Sequence, residues 1–303
     1  MPTLVLDDEA LLARLTPDVA VSAMRQALLD AEHGDMAAPP RLAAQLGDGR
    51  LVFTAGARRG EWFGYRSYDT FGSGGDQVVV LHGWQDGAVR AIAIGSELGA
   101  RRTGAIGAVA VDALARPDAA RAAVIGTGTQ AWAQLWAITA VRPLAQLLVW
   151  SRDPTHRAAF TRRAARELDL PATEAASAGQ AVGASDIVVL ATSSAAPVIE
   201  TGWVQPGCHV TTLGPKQQGR AEFGASLAAR AAVIATDSVA QTRAYQPPFV
   251  LAGTAQADRL TSLAAVIDGS APGRTSPDDV TLFCSVGLAG TEVHLLAALA
   301  RGT

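Results

Sequence analysis

The chain has 303 residues, of which 49% are hydrophobic and 17% are charged, and its formal net charge at pH 7 is −3. A chain of this length typically forms about two domains, and so hydrophobic a sequence excludes intrinsic disorder as a general description. The slightly acidic charge lacks the basic footprint of a nucleic-acid-binding protein, and no run of about 20 apolar residues predicts a membrane span.

The first part of the chain predicts an α+β domain over residues 1–117. Apolar residues recur at helical spacing from Pro17 until Gly34, which predicts an amphipathic helix. β-prone runs follow between residues 51 and 84, and the Asp86-Gly87 pair is typical of a hairpin turn. A second helix, rich in small residues, is expected over residues 97–115.

The next part, residues 118–274, predicts a doubly wound α/β domain of the Rossmann type. Short apolar runs near residues 122–125, 147–150, 186–191 and 209–213 alternate with helical segments, as buried parallel strands do. The apolar tail, residues 275–303, is predicted to form a helix that returns to the first domain or packs on a partner subunit. The expected fold class is therefore α/β with a discontinuous α+β domain.

A glycine-rich turn follows the first strand of the Rossmann domain. It has the pattern G-x-G-x-x-A, ending at Ala131, and lies between a predicted strand and helix, which is the context this motif requires. Such a turn brings free backbone N–H groups to a dinucleotide pyrophosphate. The alternative is a glycine turn without a ligand. The candidate cofactor-binding residues here are Gly126, Thr127, Gly128, Thr129 and Gln130.

The end of the second strand indicates which cofactor is bound. An NAD site favours a carboxylate there and an NADP site favours a cation, and this chain places Ser151 and Arg152 at the strand tip, with Asp153 one residue later. We favour NADP(H), with NAD(H) as the alternative if Arg152 is only a solvated arginine. Asp153 has a second reading as the cap of the next helix. Thr192 and Ser193 end a later strand, where they either face the cofactor or form an ordinary turn.

Together these residues resemble the ornithine cyclodeaminase/mu-crystallin family over nearly the whole chain. The matching motifs are L-G-A-R-R-T at residues 98–103, G-T-G-T-Q-A at 126–131, the A-S-D-I-V-V-L-A-T-S run at 184–193, the P-G-x-H-V run at 206–210 and S-V-G-L-A at 285–289. The resemblance implies a homodimer and a site between the first domain and the Rossmann domain. It also implies that Ser285 and Val286 flank the nicotinamide, with a plain helix start as the alternative. Leu213 is a further candidate cofactor-binding residue.

The family includes NAD-dependent cyclisation of ornithine and NAD(P)H-dependent reduction of imines of 2-oxo acids, and two departures bear on this choice. Arg66 stands where the family usually has a lysine, and Lys216, the single lysine of the chain, stands where the cyclodeaminases have an aspartate. A lysine cannot act as that carboxylate. The ketimine reductases of the family also lack this aspartate, so reductase chemistry remains compatible with the sequence.

Imine reduction requires a hydride donor, a cation for the substrate carboxylate, a protonated nitrogen and exclusion of water. The resemblance implies that Arg41 and Arg102 bind the carboxylate. Arg66 is a candidate catalytic and substrate-binding residue: because it stays cationic, it can clamp or polarise the substrate but is a poor proton shuttle. Lys216 and His82 are the candidate proton donors. The alternatives are a loop arginine at 41, a solvated turn lysine at 216 and a half-buried structural histidine at 82.

The remaining residues predict no metal site and no disulfide. Cys208 and Cys284 lie far apart, and no Cys/His/Asp cluster has metal-ligand spacing. With acids near the N-terminus in place of a secretory signal, we expect a cytoplasmic protein.

Three functions follow from the sequence. The leading hypothesis is an NADPH-dependent reductase of an imine of a small 2-oxo acid, and the four cations at positions 41, 66, 102 and 216 suggest a dicarboxylate. The second is a cyclodeaminase that uses NAD on an amino acid. The third is a non-enzymatic NADPH-binding protein, which the substitution of both family acid/base positions favours.

Overall fold

The computed structural model describes residues 3–72 and 75–301. The chain divides into two compact units, Met1–Arg102 with Gly287–Thr303, and Thr103–Val286. The boundaries between the two units fall after residues 102 and 286, whereas the sequence predicted domain boundaries after residues 117 and 274.

The first unit is a mixed sheet with helices. In chain order its elements are β1 (Leu4–Leu6), α1 (Asp8–Leu12), α2 (Pro17–Glu32), β2 (Met36–Ala37), β3 (Leu42–Leu46), β4 (Gly49–Arg58), β5 (Trp62–Asp69), β6 (Gln77–Gly83), β7 (Val89–Gly95) and α3 (Glu97–Leu114), which runs past the division. The strand order is β1-β7-β6-β5-β4-β2, with β3 paired to β4. The predicted hairpin is present between β6 and β7, and Gly87 has the positive φ of 67° that such a turn favours.

The second unit is built on an eight-stranded parallel sheet. Its elements are β8 (Arg121–Ile125), α4 (Thr129–Ile138), β9 (Gln146–Trp150), α5 (Pro154–Glu167), β10 (Ala172–Glu174), α6 (Ala178–Gly183), β11 (Ile187–Leu190), β12 (His209–Thr212), β13 (Lys216–Gln217), β14 (Arg220–Ala221), α7 (Ala225–Arg230), β15 (Val233–Thr236), α8 (Val239–Arg243), β16 (Leu260–Ser262), α9 (Leu263–Ile267) and β17 (Thr281–Cys284). The order of the large sheet is β10-β9-β8-β11-β12-β17-β15-β16. This is the Rossmann-type doubly wound sheet that the alternation of strands and helices predicted.

The tail of the chain differs from the sequence prediction. Residues 281–284 form a fully buried strand between β12 and β15, and the final helix, α10 (Thr291–Arg301), begins only afterwards. Gly287 and Gly290 adopt φ of +89° and +78°, which a continuous helix does not allow. The apolar residues of β17 lie in a strand that is buried in the sheet. An apolar run of this kind does not distinguish a buried strand from a buried helix.

Helix α10 covers one face of the first unit's sheet. It packs on β4, β5, β6 and β7, and α2 packs against it. Side chains alternate between the two faces of a strand, so Arg66 points to the face that α10 covers, whereas Phe63 and Tyr65 point to the other face and are 37% and 39% exposed. Among the described helices of both units, none is long and apolar enough to cross a membrane.

Candidate functional site

The glycine-rich turn joins β8 to α4 as the sequence predicted. Gly126 has φ +109°, and a Cβ there would lie 2.3 Å from the carbonyl oxygen of Ala191, so only glycine fits. Gly128 precedes α4, where no side chain caps the helix, and a Cβ on it would meet nothing within 4 Å. The uncapped N–H groups and the open approach at Gly128 fit the pyrophosphate of a dinucleotide.

A cleft of about 1190 Å³ opens at this turn within the second unit. Ten of the residues predicted to bind the cofactor line it: Gly126, Thr127, Gly128, Thr129, Gln130, Ser151, Arg152, Thr192, Ser193 and Leu213. These residues come from the carboxyl ends of four strands and the loops after them, where doubly wound folds bind nucleotides. The size and chemistry of the cleft fit a nicotinamide dinucleotide.

Two further predicted residues, Ser285 and Val286, do not line this cleft. Both are buried after the end of β17, where Asp237 accepts hydrogen bonds from the Val286 N–H at 2.8 Å and the Ser285 hydroxyl at 3.3 Å. Asp237 itself is 4% exposed. The carboxylate therefore fixes the backbone at the exit of β17.

At the tip of β9, Asp153 is committed to the helix that follows. Its carboxylate accepts hydrogen bonds from the N–H groups of Thr155 and His156 at 2.8 and 3.0 Å, and these bonds, that of His156 foremost, lower its pKa. Ser151 donates its hydroxyl to the Asp153 carbonyl at 2.9 Å, and Arg152 is exposed. The helix-cap reading of Asp153 is confirmed.

A buried glutamate that sequence reasoning missed holds the cleft wall in place. Glu222 is 0% exposed and accepts hydrogen bonds from the Thr192 N–H (3.0 Å), the Thr192 hydroxyl (2.9 Å), the Leu213 N–H (2.9 Å) and the Gly214 N–H. It thereby joins the loops after β11 and β12. One feature of the sequence indicates that Glu222 is buried: this acid lies between the apolar residues Ala221 and Phe223.

Lys216 is also buried, so the solvated-turn reading of this lysine is wrong. It is 2% exposed, and its Nζ donates to the Gly214 carbonyl oxygen at 2.6 Å. It is not among the residues that line the cleft. Its hydrogen bond, like those of Glu222, fixes the backbone at residue 214.

The predicted arginines gather in the first unit around an acid that sequence reasoning also missed. Glu292, on α10, is 1% exposed. Its Oε1 atom lies 2.6 Å from Nη1 of Arg66 and 2.8 Å from Nη2 of Arg102. One carboxylate oxygen therefore bridges two guanidinium groups.

Arg66 is held on three sides. Besides its contact with Glu292, its Nε and Nη2 donate to Oε1 of Gln77 at 3.0 and 2.6 Å, and its guanidinium lies 4.3 Å from the ring centre of Tyr68. Burial lowers the pKa of Arg66, and the charge of Glu292 opposes that shift. Arg66 remains a cation, as arginines in proteins do, with its donors directed at protein acceptors.

Arg102 and Arg41 converge beside Gly287. A Cβ on this glycine would lie 3.3 Å from Nη2 of Arg41 and 3.7 Å from Nη1 and Nη2 of Arg102. Within residues 3–72 and 75–301, Nε and Nη1 of Arg102 have no hydrogen-bond partner although they are buried. The neighbouring Arg101 pairs instead with Glu97 at 2.8 Å, so the structure brings Arg102 to the cluster, as the family match indicated.

Electrostatics keep Glu292 ionised. Full burial acts to raise the pKa of its carboxyl, but the guanidinium groups of Arg102 and Arg66 outweigh burial, and the pKa lies below its ordinary value. The cluster contains three arginines and the one carboxylate of Glu292. Buried donors without partners beside excess positive charge can bind an anion such as a carboxylate.

His82 does not belong to this cluster. It pairs with Phe63 across β5 and β6, and residues 63 and 66 of one strand point to opposite faces. The imidazole stacks on the Phe63 ring with centroids 4.8 Å apart, and its Nδ1 lies 2.9 Å from the Gly87 carbonyl oxygen. The alternative reading, a half-buried structural histidine, is the one these contacts support. In the described stretches of sequence, no group of three or more His, Cys, Asp or Glu residues could hold a metal ion.

The sequence is similar to those of a known protein family. The model of the ornithine cyclodeaminase/mu-crystallin family matches residues 4–299. A putative dehydrogenase of Rhizobium meliloti is 35% identical over 202 residues, which is 65% of this chain and 61% of that protein. The matched region therefore spans less than two thirds of that relative's length.

Two relatives carry names of specific reductases. Delta(1)-pyrroline-2-carboxylate reductase of Bacillus cereus is 31% identical over 220 residues, 71% of this chain and 67% of the relative. Iminosuccinate reductase of Paracoccus denitrificans is 32% identical over 224 residues, 73% and 69% of the two chains. The crystal structure of the latter in complex with NAD⁺ superimposes with a TM-score of 0.88 and 25% identity, covering 99% of this chain and 95% of that one.

Proposed function

This chain belongs to the ornithine cyclodeaminase/mu-crystallin family, and we propose that it is an NAD(P)H-dependent reductase of an imine of a small 2-oxo acid. The observation that carries the proposal is the cleft suited to a dinucleotide. The family resemblance adds that Lys216 stands where the cyclodeaminases have an aspartate. A buried lysine bonded to the Gly214 carbonyl cannot serve as the anionic base of cyclodeamination. The named pyrroline-2-carboxylate and iminosuccinate reductases among the relatives support the same chemistry.

In the proposed reaction, bound cofactor supplies a hydride to the imine carbon, while the nitrogen carries a proton and the product is an amine. Arg41 and Arg102 bind the carboxylate next to the C=N bond, because their guanidinium groups converge and two buried donors of Arg102 have no partner among the described residues. The imine binds as the protonated iminium, which is the better hydride acceptor. Arg66 orients Glu292, and Lys216 holds the backbone at the cleft wall.

We propose NADP(H) as the preferred cofactor, with NAD(H) as the alternative. Two backbone N–H groups bond to Oδ1 of Asp153, so one of its two carboxylate oxygens is committed to the helix cap and not to a ribose hydroxyl. The exposed Arg152, which lines the cleft at the tip of β9, offers a cation for a 2′-phosphate. Hence the contacts around the strand tip favour the phosphorylated dinucleotide.

We also propose a homodimer that forms through the exposed face of the first unit's sheet. Large apolar side chains share that face: Leu42, Phe53, Phe63, Tyr65 and Ile94, each between 36% and 73% exposed. Contiguous apolar surface of this kind marks protein–protein interfaces. Its position opposite the face covered by α10 leaves the arginine cluster outside the interface.

The first test measures binding and turnover with the purified protein. NADPH and NADH are titrated against tryptophan fluorescence, since Trp150 lines the cleft. NADPH oxidation is then followed with Delta(1)-pyrroline-2-carboxylate and with iminosuccinate formed from oxaloacetate and ammonium. We expect tighter binding of NADPH than NADH and turnover of at least one imine, with Arg152→Ala weakening NADPH alone by roughly tenfold or more.

Matched variants locate the carboxylate site. Arg41→Ala and Arg102→Ala should lower kcat/KM for imines by roughly 100-fold, because a charged pair to the substrate is lost, and leave NADPH binding unchanged. Arg101→Ala, one residue away but paired with Glu97, is the control. Conversion of ornithine to proline and ammonia would overturn the proposal in favour of a cyclodeaminase. Cofactor binding without any turnover would indicate a binding protein.

A further inference from the structure

The contacts of Glu292 divide the arginine cluster into two parts with different roles. Arg66 directs its Nη1 to Glu292 and its Nε and Nη2 to Gln77, so its donors are used within the protein. Arg102 gives only Nη2 to Glu292, and its Nε and Nη1 lie unpaired in the part of the chain that the structure describes. Arg66 and Glu292 thus form a buried ion pair, and Arg102 lies against its negative end.

This arrangement places a fixed negative charge next to a group proposed to receive a negative substrate. Oε1 of Glu292 is 2.8 Å from Arg102 and is 1% exposed, so water screens it little. A carboxylate that approaches Arg102 is attracted by Arg102 and Arg41 and repelled by Glu292. A second carboxylate on the same substrate is attracted by the same arginines and repelled by the same glutamate.

We propose that Glu292 is a specificity-determining residue whose buried charge, balanced by Arg66, sets the preference between imines with one carboxylate and imines with two. The inference rests on the proposed reductase function and concerns the same site. Removing the negative charge should favour the dicarboxylate, because its second carboxylate gains attraction that a monocarboxylate cannot use. Removing a positive charge should favour the monocarboxylate.

The experiment is a charge series at two positions. Glu292→Gln, Arg66→Met and the double variant are compared with wild type, using Delta(1)-pyrroline-2-carboxylate and iminosuccinate formed from oxaloacetate and ammonium. The quantity measured is the ratio of kcat/KM for the dicarboxylate to that for the monocarboxylate. We expect Glu292→Gln to raise the ratio about tenfold or more, Arg66→Met to lower it by a similar factor, and the double variant to return it to near the wild-type value.

Two controls separate charge from structure. Arg66→Lys keeps the positive charge and should keep the ratio even if both rates fall. Glu97→Gln neutralises an acid paired with Arg101 on the same helix as Arg102 and should leave the ratio unchanged. If Glu292→Gln does not fold, the contrast between Arg66→Met and Arg66→Lys still tests the sign of the effect.

The outcomes are distinguishable. A ratio that moves in opposite directions in Glu292→Gln and Arg66→Met supports the inference, since a purely structural defect would lower both rates without opposite shifts. Ratios within twofold of wild type in all variants overturn it and leave the reductase function standing. Failure of the wild-type protein to reduce either imine overturns the proposed function itself.

Discussion

At the scale of single residues, burial decides what an acid does in this protein. Asp153 is exposed and caps a helix, whereas Glu222 and Glu292 are buried and collect donors from distant parts of the chain. A buried carboxylate is costly unless it is fully hydrogen-bonded or paired, so each buried acid marks a place that the fold must hold together. For Glu222 that place is the wall of the cofactor cleft, and for Glu292 it is the arginine cluster.

The role of Glu222 yields a prediction at this scale. Glu222→Gln replaces one carboxylate oxygen with an NH₂ group, which faces backbone donors and leaves at least one of them without an acceptor. We expect destabilisation of about 1–3 kcal/mol and an NADPH Kd raised by roughly tenfold. Thermal unfolding and NADPH titration measure the two effects. Glu167→Gln, at the exposed end of α5, is the control, and an unchanged Kd in Glu222→Gln would contradict the prediction.

At the scale of elements, β12 carries a histidine into the centre of the parallel sheet. His209 is fully buried, and its two ring nitrogens lie 2.9 and 3.0 Å from the hydroxyls of Thr281 and Thr211. Burial, aided by Arg274 and Arg142, lowers its pKa to about 3. His294 on α10 is similarly lowered, to about 4, chiefly by burial. Both imidazoles are therefore neutral in the folded protein at pH values where an unfolded chain would protonate them.

This difference predicts acid sensitivity. The unfolded state binds more protons below its histidine pKa of 6.5, so stability is fully present above that pH and falls progressively towards the folded values. Between pH 7.5 and 5.5, each histidine should lower the unfolding free energy by about 1.4 kcal/mol. Urea unfolding at the two pH values measures this loss. His209→Gln should reduce it, and His33→Asn, at the surface, should not; equal losses in all three proteins would rule out the explanation.

At the scale of the whole molecule, the exposed face of the first unit's sheet is the proposed dimer interface. Phe63 and Tyr65 point away from the face that α10 covers, and His82 stacks on Phe63 there. We expect Phe63→Asp to convert a dimer to a monomer, because a charge buried in an apolar interface lacks a partner. Light scattering after size exclusion measures the mass. Leu12→Asp on α1, which is 42% exposed, is the control, and a monomeric wild type would contradict the proposed dimer.

Local patterns in the sequence determined the parallel sheet, the β6–β7 hairpin and the glycine turn. Each depends on neighbours in sequence: apolar runs of strand length, Asp86-Gly87 between two such runs, and glycines at 126 and 128 between a strand and a helix. Because the carboxyl ends of parallel strands meet at one edge, the same patterns placed the residues of the cofactor cleft together.

Only the tertiary structure decided the rest, because it depends on contacts between residues far apart in the chain. Whether residues 281–284 form a strand is fixed by the gap between β12 and β15 that they fill. That Lys216 is buried, that His82 faces away from Arg66 and that Glu292 bridges Arg66 and Arg102 follow from packing between elements up to 226 residues apart. Charge counting from the sequence suggests four cations for the substrate. The structure shows that Lys216 is buried and bonded to the Gly214 carbonyl, and that the carboxylate of Glu292 lies among the arginines, since burial and pairing are properties of the fold.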